Sequence, residues 1–194
     1  MKKMLYELCD SVEIDGRKYA VNTDFRVWIE IEHILFDRRL SGGETLAEFL
    51  TLVYPVLPEN LEGAIKGALW FYSAGETRES GKGDKNYSPA YDLKLDFEYV
   101  WGAFLAEFGI DLCETAMHWW KFRALLCCLS ENCQFSRIVG YRNADLSKIK
   151  GREQRRFYEK MKKRFRLPDR RTEEERSAET AEKLEELFGL ILIG

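Results

Sequence analysis

The sequence predicts a mainly α-helical fold, a multi-helix bundle with a small N-terminal β-hairpin. Three observations carry this. Apolar residues recur at helical spacing along most of the chain. Alternating polarity is confined to one short stretch around Asp15-Gly16. No internal repeat is visible at a fixed period. With 194 residues, 45% apolar and 13% aromatic, the chain can bury a core of its own, which excludes disulfide-knotted, collagen-like and disordered classes.

Residues 11–21 alternate in polarity about Asp15-Gly16, the strongest short signal for a hairpin. Asn22, Thr23 and Asp24 supply N-cap oxygens for a helix with Phe25, Trp28, Ile29, Leu35 and Phe36 on its stripe, and Ser41-Gly42-Gly43 should stop it. A short helix carrying Leu46, Phe49, Leu50 and Val53 follows and ends near Tyr54-Pro55. Pro58 and Glu59 open the next, with Leu61, Ile65, Ala68, Leu69 and Tyr72 as its stripe. Apolar content then collapses between Ala74 and Pro89, so residues 74–89 read as a long, mobile surface loop.

The clearest helical stripe is Phe97, Val100, Trp101, Phe104, Leu105 and Phe108, closed by Gly109. Asp111 and Glu114 resemble a capping box for a helix over residues 112–130 that is apolar on most sides and therefore central. A short helix or turn is expected over residues 135–141. A strongly basic helix over residues 146–165, anchored by Ile149, Phe157, Met161 and Phe165, ends before Pro168. Thr172 caps a final acidic helix with Ala181, Leu184, Leu187, Phe188 and Ile191 on one stripe. The organisation expected is a single helical domain over residues 1–171 and an acidic C-terminal helix over 172–194.

The net charge of −3 conceals a division. Residues 1–120 carry 12 basic and 21 acidic side chains, residues 121–171 carry 16 and 5, and residues 172–194 carry 2 and 7. Glu7 and Asp10 interrupt the N-terminal stretch before a signal-peptide core can form. No run approaches the roughly 20 apolar residues of a membrane span. A soluble, cytosolic protein is expected. The five cysteines, Cys9, Cys113, Cys127, Cys128 and Cys133, contain no Cys-x-x-Cys pair and read as buried or incidental thiols.

Gly75, Gly81-Lys82 and Gly83 fail the spacing of a phosphate-cradling loop, and no strand precedes them. Glu30 with His33 and Glu114 with His118 each place two ligand types on one helical face, but the two spacings differ, unlike the matched pairs of di-metal bundles. Cys113 and His118, five residues apart, do not share a helical face. The sizeable electrostatic feature is the basic cluster Arg152, Arg155, Arg156, Lys160, Lys162, Lys163, Arg164 and Arg166. It faces two prospects: charge pairing with Glu173, Glu174, Glu175, Glu179, Glu182, Glu185 and Glu186, within the chain or between subunits, or an external partner, acidic protein before nucleic acid.

Several stretches together resemble one family. Tyr91-Asp92, Phe97, the Tyr99 to Phe108 helix, Phe108-Gly109-Ile110-Asp111-Leu112, His118-Trp119-Trp120-Lys121-Phe122-Arg123-Ala124-Leu125-Leu126, Tyr141-Arg142 and the basic helix ending at Leu167-Pro168 are similar to the bacteriophage gene-product-fifteen family. The resemblance covers most of residues 5–168, and its most specific element is Ile-Asp-Leu followed by His-Trp-Trp-Lys-Phe. The insert near residues 75–88 and the tail after Arg171 lie outside it. Such proteins occur in long-tailed phages and prophages, with genes in the tail module near those for tail tube and tape measure.

That position implies a tail-assembly chaperone or accessory factor that keeps tape-measure helices soluble until tube subunits polymerise around them. The resemblance implies no enzymatic activity, catalytic residue, metal or cofactor. The expected partners are the tape-measure or tail-tube protein, or a second copy of the chain, in the cytoplasm of the bacterial host. The residues expected to meet a partner are Trp120, Lys121, Arg123, Arg152, Arg155, Arg156 and Lys160. Trp119, Trp120 and Phe122 carry two readings, core of the central helix or, for Trp120 with Lys121, contact with a client groove. The runner-up is a nucleic-acid-binding phage protein that uses residues 148–171.

Overall fold

The hairpin forms where the alternation placed it. In the computed structural model, which describes residues 8–35, 42–75 and 90–168, β1 (Ser11–Ile14) pairs antiparallel with β2 (Arg17–Ala20), Ile14 facing Arg17 across the turn. Asp15 and Gly16 both take positive φ, 49° and 76°, the backbone a two-residue turn needs to match strand twist. Val12 and Ile14 point from β1 into the core. They rest on α3 (Leu61–Tyr72) where it carries Gly63 and Gly67. A Cβ at Gly63 would lie 2.6 Å from Ile14 Cγ2, so the close approach requires glycine there.

Seven α-helices follow among the described residues, joined by turns, extended segments and one 3-10 turn. α1 (Phe25–Leu35) starts at Asp24, whose Oδ1 accepts from Arg26 N at 2.8 Å, a carboxylate cap of the expected kind. α2 (Gly42–Val53) packs on α1 and α3. Gly42 and Gly43, read from sequence as a stop, instead open α2. Its Phe49, Leu50 and Val53 are buried as the spacing indicated, and Leu46 is not. α3 begins at Asn60, whose side chain accepts from Gly63 N, rather than at Pro58.

The buried face of α3 is rotated from the expected stripe. It consists of Ala64, Ala68 and Phe71, while Leu61 and Leu69 are each 49% exposed. Small residues win the inner face because the hairpin and Tyr54 press against it: a Cβ at Gly67 would meet Val12 Cγ2 and Tyr54 Oη at 3.0 Å. α4 (Phe97–Phe108) buries Val100, Ala103 and Phe104 and leaves Trp101 and Leu105 half-exposed. Gly109 terminates it in the left-handed conformation, φ 65°.

The expected central helix over 112–130 is shorter than read: α5 spans Trp119–Cys127. Two interactions displace its start. Asp111 Oδ1 accepts from Cys113 N at 2.8 Å and Trp101 Nε1 at 2.9 Å, closing a turn instead of a capping box. The chain then runs extended beside residues 23–25, with Phe25 N donating to Met117 O at 3.0 Å and Trp119 N to Thr23 O at 2.7 Å. α5 is also buried on one side only, through Trp119, Trp120 and Phe122; Cys127 and Cys128 are exposed. α6 (Gln134–Asn143) packs on α4, and α7 (Arg152–Arg164) packs on α6. The basic helix predicted as one piece is divided, with a 3-10 turn at Leu146–Lys148 before α7. The loop expected over residues 74–89 lies outside the described residues from position 76 on, as do the acidic helix expected over 172–194 and Phe36. No helix among the described residues is long and apolar enough to cross a membrane.

Tyr54 fastens α2 to α3 by donating to Ala64 O at 2.7 Å. Burial pushes its hydroxyl up from 10.0 to about 12. Above pH 10 the unfolded chain ionises this phenol while the folded chain keeps the proton, so its stabilisation is complete below that value and lost as pH rises through 12. Chemical denaturation of Tyr54→Phe should show a shallower fall of unfolding free energy between pH 10 and 12 than the native chain. Some slope remains from Tyr72, raised chiefly by burial and also by Glu32 beside it. An identical slope would show that Tyr54 does not contribute.

Candidate interaction surface

The motif His118-Trp119-Trp120-Lys121-Phe122 occupies the first turn of α5 and the residue before it. His118 is the N-cap: its Nδ1 accepts from Trp120 N at 3.0 Å, and its Nε2 lies 2.8 Å from Cys9 O. An Nδ1 that accepts leaves Nε2 carrying the proton it gives to Cys9 O, the neutral imidazole. Trp119 Nε1 donates to Tyr72 O at 3.0 Å and Trp120 Nε1 to Phe71 O at 2.7 Å. Both acceptors are carbonyls of the last turn of α3, past the reach of its i to i+4 ladder, and Phe71 O also accepts from Ala74 N at 3.0 Å. Arg123 NH1 donates to the same Tyr72 O at 2.5 Å, with its guanidinium over the Tyr72 ring at 5.7 Å.

The rings form a continuous stack. Phe122 lies against Phe25 at 4.8 Å and Phe104 at 5.2 Å, and Trp28 against Phe71 at 5.1 Å and Trp119 at 6.1 Å. Offset stacking at such separations adds stabilisation beyond area burial. The motif therefore joins α1, α3, α4 and α5.

Among the described residues α7 differs from the other six α-helices in having no buried residue. Tyr158, Met161 and Phe165 face inward and are partly covered, Tyr141 of α6 touching Tyr158 at 5.8 Å and Phe165 at 6.1 Å. Arg152, Arg156, Lys160 and Lys163 sit on the opposite side at helical spacing, all exposed. Arg155 is neutralised in part by Glu159, 3.5 Å away one turn on. Phe157 is 48% exposed beside this face. At the near end, Lys162 Nζ donates to Ala144 O at 3.0 Å. Asp145 caps the 3-10 turn, and the Ser147 hydroxyl and amide hold its carboxyl below the usual range.

A family model described as Bacteriophage Gp15 protein matches residues 4–167. The chain belongs to this bacteriophage family. No curated protein and no solved structure matches it. The match covers the hairpin, α1 to α7 and the basic stripe, and stops short of the acidic tail.

Within this phage protein the residues predicted to meet a partner fall into two groups on different helices. Trp120, 2% exposed, presents no surface and belongs to the core; its indole proton is consumed by Phe71 O. Arg123 turns inward to Tyr72 O instead of out to solvent or a carboxylate. Lys121 is exposed on α5, and Arg152, Arg155, Arg156 and Lys160 are exposed on α7. Among the described residues no hydrogen bond, ion pair or ring contact joins Lys121 to α7. The suspected ligand pairs are engaged elsewhere: Glu30 with Lys94 at 2.6 Å, His33 with Asp92 at 3.2 Å, and His118 as described.

Sequence reading missed the pair that positions α7. Arg142, near the end of α6, forms a two-pronged bond to Asp96 at the start of α4, NH1 to Oδ2 at 2.5 Å and NH2 to Oδ1 at 2.9 Å. Its NH1 also reaches Ala90 O at 3.2 Å, and its Nε reaches Phe165 O at 2.5 Å. Side-chain exposures of 10% and 3% put this pair in the interior. Tyr141-Arg142 was legible only as part of the family resemblance, because a single arginine in a polar helix carries no periodic signal. Arg142→Ala should destabilise the fold by about 3–5 kcal/mol in denaturant unfolding, the cost of stranding a buried carboxylate. A loss under about 1 kcal/mol, the level of an exposed pair, would show that water replaces the guanidinium.

Proposed function

We propose that this phage protein works without catalysis in tail morphogenesis, as a tail-assembly chaperone or accessory factor that binds the tape-measure or tail-tube protein in the bacterial host cytoplasm. One observation carries the reading: the exposed stripe Arg152, Arg156, Lys160 and Lys163 on a helix held to the body by one side only. Such a stripe selects a partner by charge and releases it readily, because exposed pairs are individually weak and screened by salt. The employment of His118 as a cap and of Trp119 and Trp120 as carbonyl donors supports a packing role for the most specific part of the motif. Self-association through the same surface is the other protein-binding outcome.

Co-expression with the neighbouring tape-measure protein tests this. The client should remain soluble and co-purify, and the quadruple variant Arg152→Glu, Arg156→Glu, Lys160→Glu, Lys163→Glu should retain at least tenfold less of it. An insoluble client with no recoverable complex contradicts the role.

The same stripe supports a second reading, contact with nucleic-acid phosphates by the 148–171 segment. Duplex DNA should then be retained at about 50 mM salt and released by about 200 mM, the range over which counterion release weakens such binding. Absence of retention at the lower concentration removes this alternative.

A further inference from the structure

The basic stripe has a complement in the chain's own sequence. On α7, Arg152, Arg156, Lys160 and Lys163 stand at i, i+4, i+8 and i+11, all exposed. Beyond the described residues, Glu175, Glu179, Glu182 and Glu186 stand at i, i+4, i+7 and i+11. On α7 this spacing is one narrow stripe, and the glutamates span the same eleven positions of sequence. Run antiparallel, offsets of 0, 3, 7 and 11 back from Lys163 meet offsets of 0, 4, 7 and 11 on from Glu175, one residue out at the second pair only.

The connection permits this. α7 ends at Arg164, and Thr172 offers an N-cap oxygen, leaving seven residues between, a length that joins neighbouring helices in bundles. Pro168 within that connection prevents α7 from simply continuing. The clamp of Arg142 on Phe165 O holds the exit point beside α6, so the following residues leave from the end of the stripe.

We infer that the basic face of α7 is the docking surface for this chain's own C-terminal segment, with Glu175 opposite Lys163, Glu179 opposite Lys160, Glu182 opposite Arg156 and Glu186 opposite Arg152. The arrangement goes beyond the proposed tail-assembly role and does not depend on it. It makes the stripe an occupied site that an acidic partner must compete for.

Zero-length carbodiimide coupling of the full chain, with no client present, tests the register because it joins a lysine amine only to a carboxylate in contact. Lys66 and Glu62, 2.6 Å apart, provide the internal positive control. Mass spectrometry should find Lys160 joined to Glu179 and Lys163 to Glu175. Their yield should fall at least tenfold at about 1 M salt, where screening acts over about 3 Å. Formation of the Lys66–Glu62 link without the other two overturns the inference. Mixing isotope-labelled with unlabelled chain separates the occupants: links within one isotope support docking in cis, whereas mixed-isotope links overturn it in favour of a second copy's tail. Failure of the tape-measure co-expression would leave this result untouched.

Discussion

The end of α3 is the point on which the architecture depends. Its last carbonyls, Phe71 O and Tyr72 O, are met by the indole protons of Trp120 and Trp119; Phe71 O also accepts from Ala74 N at 3.0 Å, and Arg123 gives Tyr72 O a second side-chain donor. Nearly fifty residues separate donor from acceptor. A helix end buried without donors would cost desolvation energy, so α3 and α5 are obligate neighbours. Satisfying these carbonyls also brings the flat faces of Trp119 and Phe122 against Trp28, Phe25 and Phe104, which fixes where α1 and α4 lie. The hydrogen bonds set the register, and the stacked rings supply the apolar area that makes it favourable.

A second, polar chain runs from α1 toward α7. His33 meets Asp92, Asp92 N donates to Asp96 Oδ2 at 3.1 Å, and Asp96 receives both prongs of Arg142. Asp92 further caps its own turn, accepting from Lys94 N and Leu95 N. Buried charges persist when their remaining lone pairs are filled, and Asp96 meets that condition through one guanidinium and a backbone amide. The body of the protein is thus held by aromatic packing, while α7 is held by a guanidinium and the rings around Tyr141.

How much of this was legible depended on whether a local rule governed the segment. Asp15-Gly16 fixed the hairpin and Gly109 the end of α4, because left-handed backbone at a turn is a local requirement. Element order and the aromatic core followed from helical spacing. Gly42-Gly43, expected to stop the preceding helix, form the first residues of α2. Two readings failed where distant residues decided. The inner face of α3 went to alanine and glycine because Val12, Ile14 and Tyr54 come close there. The helix expected from Leu112 begins at Trp119, since residues 116–118 lie alongside the start of α1. For the candidate surface, the charge count found the α7 stripe directly. Trp120 and Arg123 bond Phe71 O and Tyr72 O within the chain, contacts that composition does not reveal, and Arg142 was passed over for the same reason.

The attachment of Arg142 to Phe165 O sets the mechanical character of the C-terminal end. Tension applied beyond Pro168 meets this carbonyl before it reaches the body of α7, and the guanidinium transmits the load to Asp96 at the root of α4. The helix is thereby bypassed: it is shielded from peeling at its last turn, and a pull on whatever follows is carried by a buried ionic joint instead of a ladder of exposed backbone bonds.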